Sequence, residues 1–292
     1  MTDVVAAPSV RALAREKGVD MEKLARDTGR TTIAREDLDG ATPAATKAGD
    51  TSYWDVDHSA FGPVTEEPLS RFAQVAAANL SAANALIPQV THHDRADISK
   101  IEAFRTELKD ETRARGVKLT ALAFYVKALA KALRDFPRFN ASLSLNGKTL
   151  ILKDYVHIGI AVDTTHGLMV PVIRDADRKG LWQIATEIAD LARRAQERKV
   201  SPDEMGGASM TISSLGGIGG TAFTPIVNPP EVAILGITRT EIATFWDGDT
   251  PRPVPMLPLD LSYDHRVVNG ADAARFMSYL AGLLTDPRRI MI

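Results

Sequence analysis

The stretch Leu257-Pro258-Leu259-Asp260-Leu261-Ser262-Tyr263-Asp264-His265-Arg266-Val267-Val268-Asn269-Gly270-Ala271-Asp272 constrains the fold more than any other part of the chain. Its first half alternates apolar and polar residues, the period of a strand whose two faces meet different surroundings. It then enters a knot of polar side chains around His265. Asn269-Gly270 predicts a turn, and an Ala-rich helical pattern follows from Ala271. A strand that passes into a helix through a polar turn suits an α/β chain. A histidine at that junction is well placed to act as a general base.

Elsewhere the patterns also mix the two periods. Residues 69–86 repeat Leu69, Phe72, Val75, Ala76 and Leu80 at helical spacing, and 87–91 read as extended. Residues 98–115 predict an amphipathic helix with Ile101, Phe104 and Leu108 inward and Gly116 as its stop. A more apolar, buried helix is expected over 119–136, and amphipathic helices over 181–199 and 271–284. Strand patterns fall at 150–162, 168–173, 210–215 and 232–238. Helices and strands do not alternate strictly, which argues for a mixed sheet with packed helices rather than a doubly wound parallel sheet.

The first part of the chain reads as a separate unit. Residues 7–39 hold a short helix with Val10, Leu13 and Ala14 on one face and Gly18 as its stop. A second short helical pattern covers 19–25, a loop 27–30, and a third helix begins at Ile33. So few residues bury only a minimal core. Residues 40–53 are rich in Ala, Pro, Thr and Gly, which is linker composition. The small unit is therefore expected to be tethered, as a docking device would be, and residues 54–292 to form one large domain.

Composition excludes several chemistries. The 292 residues carry a formal net charge of −2, with 45% hydrophobic and 25% charged residues, ordinary soluble globular usage. Such a charge gives no electrostatic case for nucleic acid or a membrane surface. No cysteine is present, so thiol chemistry must use a thiol brought by a substrate. No apolar run is long enough to span a bilayer and no signal-peptide pattern opens the chain, so a cytoplasmic location is expected.

Among six histidines, His265 alone sits in a polar cluster, between Asp264 and Arg266 and close to Asn269. His58, His92, His93, His157 and His166 lack that setting, and His157 reads as a satisfied strand histidine. His92-His93-Asp94 has no recognised metal-ligand spacing, so no metal is expected. Ser213 and Ser214 end a strand and face opposite ways. No Gly-x-Ser-x-Gly elbow marks Ser213 as a nucleophile. It is either an ordinary strand-end serine or a donor to a developing oxyanion, which needs only a fixed position. The run from Gly216 to Gly220 lacks a phosphate-loop pattern and precedes Pro225 rather than a helix, so it suits close approach of a ligand and not a nucleotide.

With these residues located, the chain resembles the dihydrolipoyl acyltransferase family of 2-oxoacid dehydrogenase complexes, most closely the bacterial pyruvate dehydrogenase acetyltransferases. The motif is His-x-x-x-Asp/Asn-Gly at His265 to Gly270, supported by residues 167–177 and 211–236. Residues 7–39 resemble the family's all-α peripheral subunit-binding domain. The resemblance implies a chloramphenicol-acetyltransferase-like mixed α/β fold and acetyl transfer from S-acetyl-dihydrolipoamide to coenzyme A. It gives His265 the role of base toward the coenzyme A thiol and Ser213 that of donor to the oxyanion. Asn269 stands where the family often has an aspartate that helps hold the site; an amide keeps the hydrogen bonds but not the charge. Coenzyme A and the lipoyl group are then substrates, and no metal is involved. Trimers with interfacial active sites would assemble into a 24-mer cube. The N-terminal module would bind pyruvate dehydrogenase and dihydrolipoyl dehydrogenase components.

Three departures accompany the resemblance. The sequence holds no lipoyl domain, so the acyl carrier is expected from a longer form of the chain or from elsewhere. The binding-module loop, Asp27-Thr28-Gly29-Arg30-Thr31-Thr32, keeps one glycine of the family's several. Gln89 stands where many members have histidine. Alternatives are a succinyl or branched-chain acyltransferase, a non-catalytic scaffold core, and chloramphenicol acetyltransferase itself, against which residues 167–236 and the tethered module argue.

Overall fold

The computed structural model describes residues 4, 6–16, 19, 21–28, 30–38, 54, 56–165 and 167–291. The expected linker over 40–53 lies outside the described residues, as do Gly18, Gly29 and His166. Two compact units form, Met1–Pro68 and Leu69–Ile292.

In the first unit, helices α1 (Pro8–Glu16) and α2 (Met21–Thr28) bury Val10, Ala14 and Ala25 together with Ile33 and Leu38. The loop expected over 27–30 starts late: α2 runs through Thr28, whose hydroxyl donates to Leu24 O at 2.7 Å. The third helix is a single 3-10 turn, Glu36–Leu38, closed by the Asp37 carboxylate on Ala34 N at 2.8 Å. A further 3-10 turn, His58–Phe61, is capped by Asp57.

The second unit begins with α3 (Arg71–Leu86), β1 (Gln89–Asp97), α4 (Ser99–Glu107), α5 (Lys109–Arg115) and α6 (Ala121–Asp135). Short strands follow: β2 (Ala141–Leu143), β3 (Leu150–Leu152), β4 (Ile158–Ile160), β5 (Val162–Thr164), β6 (Gly167–Met169) and β7 (Val172–Ile173). Then come α7 (Leu181–Gln196), β8 (Met210–Ser214), β9 (Ala233–Ile237), β10 (Glu241–Asp247), β11 (Thr250–Asp264), α8 (Gly270–Thr285) and α9 (Arg288–Met291).

Seven strands make one sheet in the order β1-β11-β9-β8-β4-β7, with β10 paired to the first half of β11. Strands β4, β8 and β9 run parallel and the other pairs antiparallel, the expected mixed sheet. On one face Leu257, Leu259, Leu261 and Tyr263 of β11 join Leu235, Ile237 and Ile212 in a core with α6 and α8. On the opposite face the same strand carries Asp260, Ser262 and Asp264, all buried. Residues 216–230 cover part of this polar face as a strap. Phe223 N donates to Asp260 and Val227 N to Gln89, while Thr221 O accepts from Thr238.

Several expected boundaries move. The extended segment at 87–91 is the start of a nine-residue strand, because the polar side chains of β1 pair with polar ones on β11. The helix expected over 98–115 is two helices joined at Leu108. The strand expected over 150–162 is three short ones. Asn269-Gly270 is not a turn: Asn269 is the N-cap of α8, its side chain accepting from Asp272 N at 3.0 Å.

Gly159 of β4 stands opposite Thr211 of β8. A Cβ there would lie 2.6 Å from Thr211 Oγ1 and 3.0 Å from Val170 Cγ1. Gly159→Ala is expected to cost about 1–3 kcal/mol of unfolding free energy, read by denaturant titration against the unsubstituted chain.

Candidate active site

His265 follows the last residue of β11 and is exposed, as is Arg266 beside it. Val267 and Val268 anchor the turn in the core. Its backbone is held at several points: His265 N donates to Pro88 O at 3.0 Å, and Val267 N and Val268 N both donate to Asp264 O at 3.0 Å. Arg138 Nη2 donates to Val267 O at 2.9 Å, tying the turn to the segment after α6. Buried Asp264 accepts from Arg266 N at 3.0 Å and from the Arg266 guanidinium at 2.7–3.2 Å. That carboxylate holds the guanidinium in its charged form, raising its pKa. The Tyr263 ring lies 5.8 Å from the His265 ring, centroid to centroid. A histidine exposed on so constrained a backbone is presented for contact. Asn269 lies at the far end of the turn, its amide oxygen committed to capping α8.

Ser213 is elsewhere. It stands opposite Gly236 of β9, which stands opposite Asp260 of β11, which stands opposite His93 of β1. Residues opposite one another on neighbouring strands share a face, so this row lies on the polar face. Ser213 is thus level with Asp260, five residues short of His265 along β11 and two strands away. At strand spacings this is roughly 16 Å along the strand and about 10 Å across the sheet. The structure therefore unites His265 with Asn269 on one turn and does not bring Ser213 to them within one chain.

The polar face holds paired polar groups that sequence reasoning passed over. His93 Nδ1 donates to Asp260 Oδ1 at 2.6 Å, and the Asp260 side chain is 1% exposed. Thr91 and Ser262 share a hydrogen bond of 2.8 Å. Gln89, Thr91, His93 and Ser262 line a cavity of about 450 Å³ with Thr224, Pro225 and Ile226 of the strap. Alternation along β11 was the available signal, since it places Asp260, Ser262 and Asp264 on one face. Deeper in that face, Glu231 accepts from Thr211 Oγ1 at 2.9 Å and from Asn228 Nδ2 at 3.2 Å. Its second oxygen, Oε2, is buried without a hydrogen-bond partner. Burial pushes the Glu231 carboxyl up to about 7, against the weaker opposing pull of Thr211 and Asn228.

The other described histidines are set differently. His157 Nδ1 accepts from Asp175 N at 3.0 Å, and its ring lies tilted against that of Tyr155 with 4.4 Å between centroids. Desolvation lowers its pKa, which suits a neutral structural histidine. His58 sits exposed in its short turn and His92 half-buried on β1. Among the described residues no group of three His, Cys, Asp or Glu could hold a metal, and no helix is long and apolar enough to cross a membrane.

The core is thus a mixed sheet with a histidine turn at one end of β11 and a polar face crossed by a strap. Residues 61–292 match the family of 2-oxoacid dehydrogenases acyltransferase (catalytic domain), and the chain belongs to that family. It is 49% identical to the dihydrolipoyllysine-residue acetyltransferase component of the pyruvate dehydrogenase complex of Pseudomonas aeruginosa, covering 99% of this chain and 55% of that protein. The counterpart in Azotobacter vinelandii is 47% identical, over 99% of this chain and 47% of that protein. The chain thus spans about half the length of the curated relatives it matches. Among solved structures, dihydrolipoamide acetyltransferase of Azotobacter vinelandii superposes with a TM-score of 0.79 at 51% identity, over 81% of this chain and 98% of that one. That structure was used to investigate a serine, a histidine and an asparagine in the catalytic mechanism. The cubic core of the pyruvate dehydrogenase multienzyme complex gives the same TM-score of 0.79 at 52% identity, again over 81% and 98%.

Glu231 yields a pH prediction. Its folded pKa of about 7 lies above the ordinary value of 4.5, so the folded chain holds this proton more tightly than the unfolded chain. The associated stability is complete below about pH 4.5 and is lost as pH rises through about 7. Glu231→Gln keeps the neutral form throughout. It is expected to gain about 3 kcal/mol over the parent chain on going from pH 4 to pH 8, measured by denaturant unfolding at both pH values. A constant difference would show that Glu231 ionises in the fold without cost.

Proposed function

We propose that this chain transfers an acetyl group from S-acetyl-dihydrolipoamide to coenzyme A as part of a pyruvate dehydrogenase complex. The observation that carries the reading is an interval. His265 follows Ser213 by 52 residues and precedes Asn269 by four, the same spacings as the serine, histidine and asparagine investigated in the Azotobacter vinelandii enzyme.

The residues suit that reaction. His265 takes the proton of the coenzyme A thiol, and the thiolate attacks the thioester carbonyl. Ser213 Oγ donates to the oxygen as it becomes negative. Collapse of the tetrahedral intermediate breaks the bond to the dihydrolipoamide sulfur, which leaves with the proton from the imidazolium. Asn269 caps α8 and so fixes the far end of the histidine turn. The chain supplies no thiol of its own, having no cysteine, so direct transfer between substrate sulfurs suits it.

One carbonyl cannot meet Ser213 and His265 of the same copy across the separation described above. The reading therefore requires a site formed by Ser213 of one copy and His265 of another. Exposed Phe72, Val75, Leu80 and Leu86 on α3 support such an association. We further infer trimers arranged in a cubic 24-mer core, supported by the likeness to a solved cubic core. Residues 7–39 bind the pyruvate dehydrogenase and dihydrolipoyl dehydrogenase components, and residues 54–292 form the catalytic domain. The lipoyl group is carried outside this sequence, the reaction needs no metal, and the complex works in the cytoplasm.

His265→Ala is expected to lose at least about a hundredfold in turnover with assembly intact, and Ser213→Ala roughly 10²–10³. Random co-assembly of the two variants should restore up to about a quarter of the sites, because some interfaces then pair an intact serine with an intact histidine. Near-normal turnover of the histidine variant, or no gain on mixing, overturns the reading. Acetyl-, succinyl- and isobutyryl-dihydrolipoamide assayed side by side decide the acyl group.

A further inference from the structure

The pair His93–Asp260 lies outside the proposed chemistry, yet it costs the fold a buried carboxylate. Asp260 uses its two oxygens on two different elements. Oδ1 accepts from His93 Nδ1 on β1, and Oδ2 accepts from Phe223 N on the strap at 3.3 Å. A carboxylate only accepts, so the imidazole must carry its proton on Nδ1 here, and the ring is fixed in orientation. The strap is pinned on either side of Phe223 as well, by Thr238 on Thr221 O at 3.1 Å and by Gln89 on Val227 N at 2.7 Å.

What these bonds place is the Phe223 ring. It fills the space left by the missing side chain of Gly236: a Cβ there would stand 2.7 Å from Phe223 Cε1 and 2.8 Å from Cζ. Gly236 is the residue between Ser213 and Asp260 in the row across the sheet. The ring therefore occupies the position next to Ser213 on the polar face, where an apolar wall would meet the acyl thioester held at the serine hydroxyl.

We propose that His93 and Asp260 are a positioning pair for the thioester donor, acting through Phe223, whose ring they hold over Gly236 beside Ser213. The inference rests on the acetyl-transfer reading. His93 is three strands from Ser213, about 14 Å at strand spacing, too far to act on the reacting carbonyl itself. Its effect falls on the donor and not on coenzyme A, whose thiol is activated at His265. Releasing the strap makes donor binding bear the cost of ordering Phe223, about 0.5–1.5 kcal/mol for a side chain.

The test is steady-state kinetics of the assembled core with S-acetyl-dihydrolipoamide and coenzyme A varied in turn. His93→Ala is expected to raise the donor KM up to about tenfold, with much smaller changes in kcat and in the coenzyme A KM. His93→Asn, whose amide can donate to Asp260 from the place of Nδ1, should restore the donor KM. Phe223→Ala should give the same selective rise, and His93→Ala added to it should give no further rise, since both act through one ring. The Phe223 variant keeps the test valid if loss of His93 impairs folding. An unchanged donor KM in His93→Ala, parallel shifts for both substrates, or additive effects in the double variant overturn the proposal. A parent chain that transfers acetyl from no donor overturns the acetyl-transfer reading beneath it, a result distinct from an active parent with an insensitive His93 variant.

Discussion

Asp260, Ser262 and Asp264 stand on one face of β11 and are all buried. Burying such groups is costly unless each finds a partner, and that requirement shapes everything around them. Ser262 meets Thr91, Asp260 meets His93 and Phe223 N, and Asp264 meets Arg266. The neighbouring strand must therefore be polar on the same face, and a strap with free N–H groups must cross it. The opposite face has no such obligation and packs as an ordinary apolar core under α6 and α8. One sheet thus serves as a rigid hydrophobic support on one side and a pre-organised polar surface on the other.

That division explains which parts of the fold were legible in the sequence. The helical periods of α6, α7 and α8 survive because each buries a single apolar stripe. The second half of β11 shows as alternation because its two faces differ. By contrast, β1 reads as a polar segment, since Thr91 and His93 are directed at polar partners rather than a core. The first half of β11 is hidden by Pro251, Pro253 and Pro255, which argue against a strand. Spaced two apart, they send their missing N–H groups to one side, while the residues between them remain free to bond β10.

The site was legible in part for a related reason. His265 announces itself through its polar surroundings, and Asn269 and Ser213 through the family resemblance. His93 and Asp260 are 167 residues apart, and neither has a local neighbour that hints at the other. Glu231 is nearly as silent: Asn228 is a local partner, but Thr211 lies twenty residues away and meets it only in the folded sheet. A single sequence carries patterns along a strand far better than rows across a sheet, and the His93–Asp260 pair belongs to such a row.

The histidine turn and the strap are held by separate sets of contacts. The turn depends on Pro88 O, Arg138, Asp264 and the two buried valines. The strap depends on Thr238, Asp260 and Gln89. On the proposed reading each copy therefore builds two half-sites, a base at the end of β11 and an oxyanion donor beside Phe223, and each is set by the fold of one chain. Association then needs only to bring finished halves together, so little conformational cost is left for the interface to bear. It also confines catalysis to the assembled state, because neither half can complete the transfer on its own. The exposed apolar residues of α3 and the split between Ser213 and His265 then follow from one requirement, that a second copy be present before a thioester is attacked.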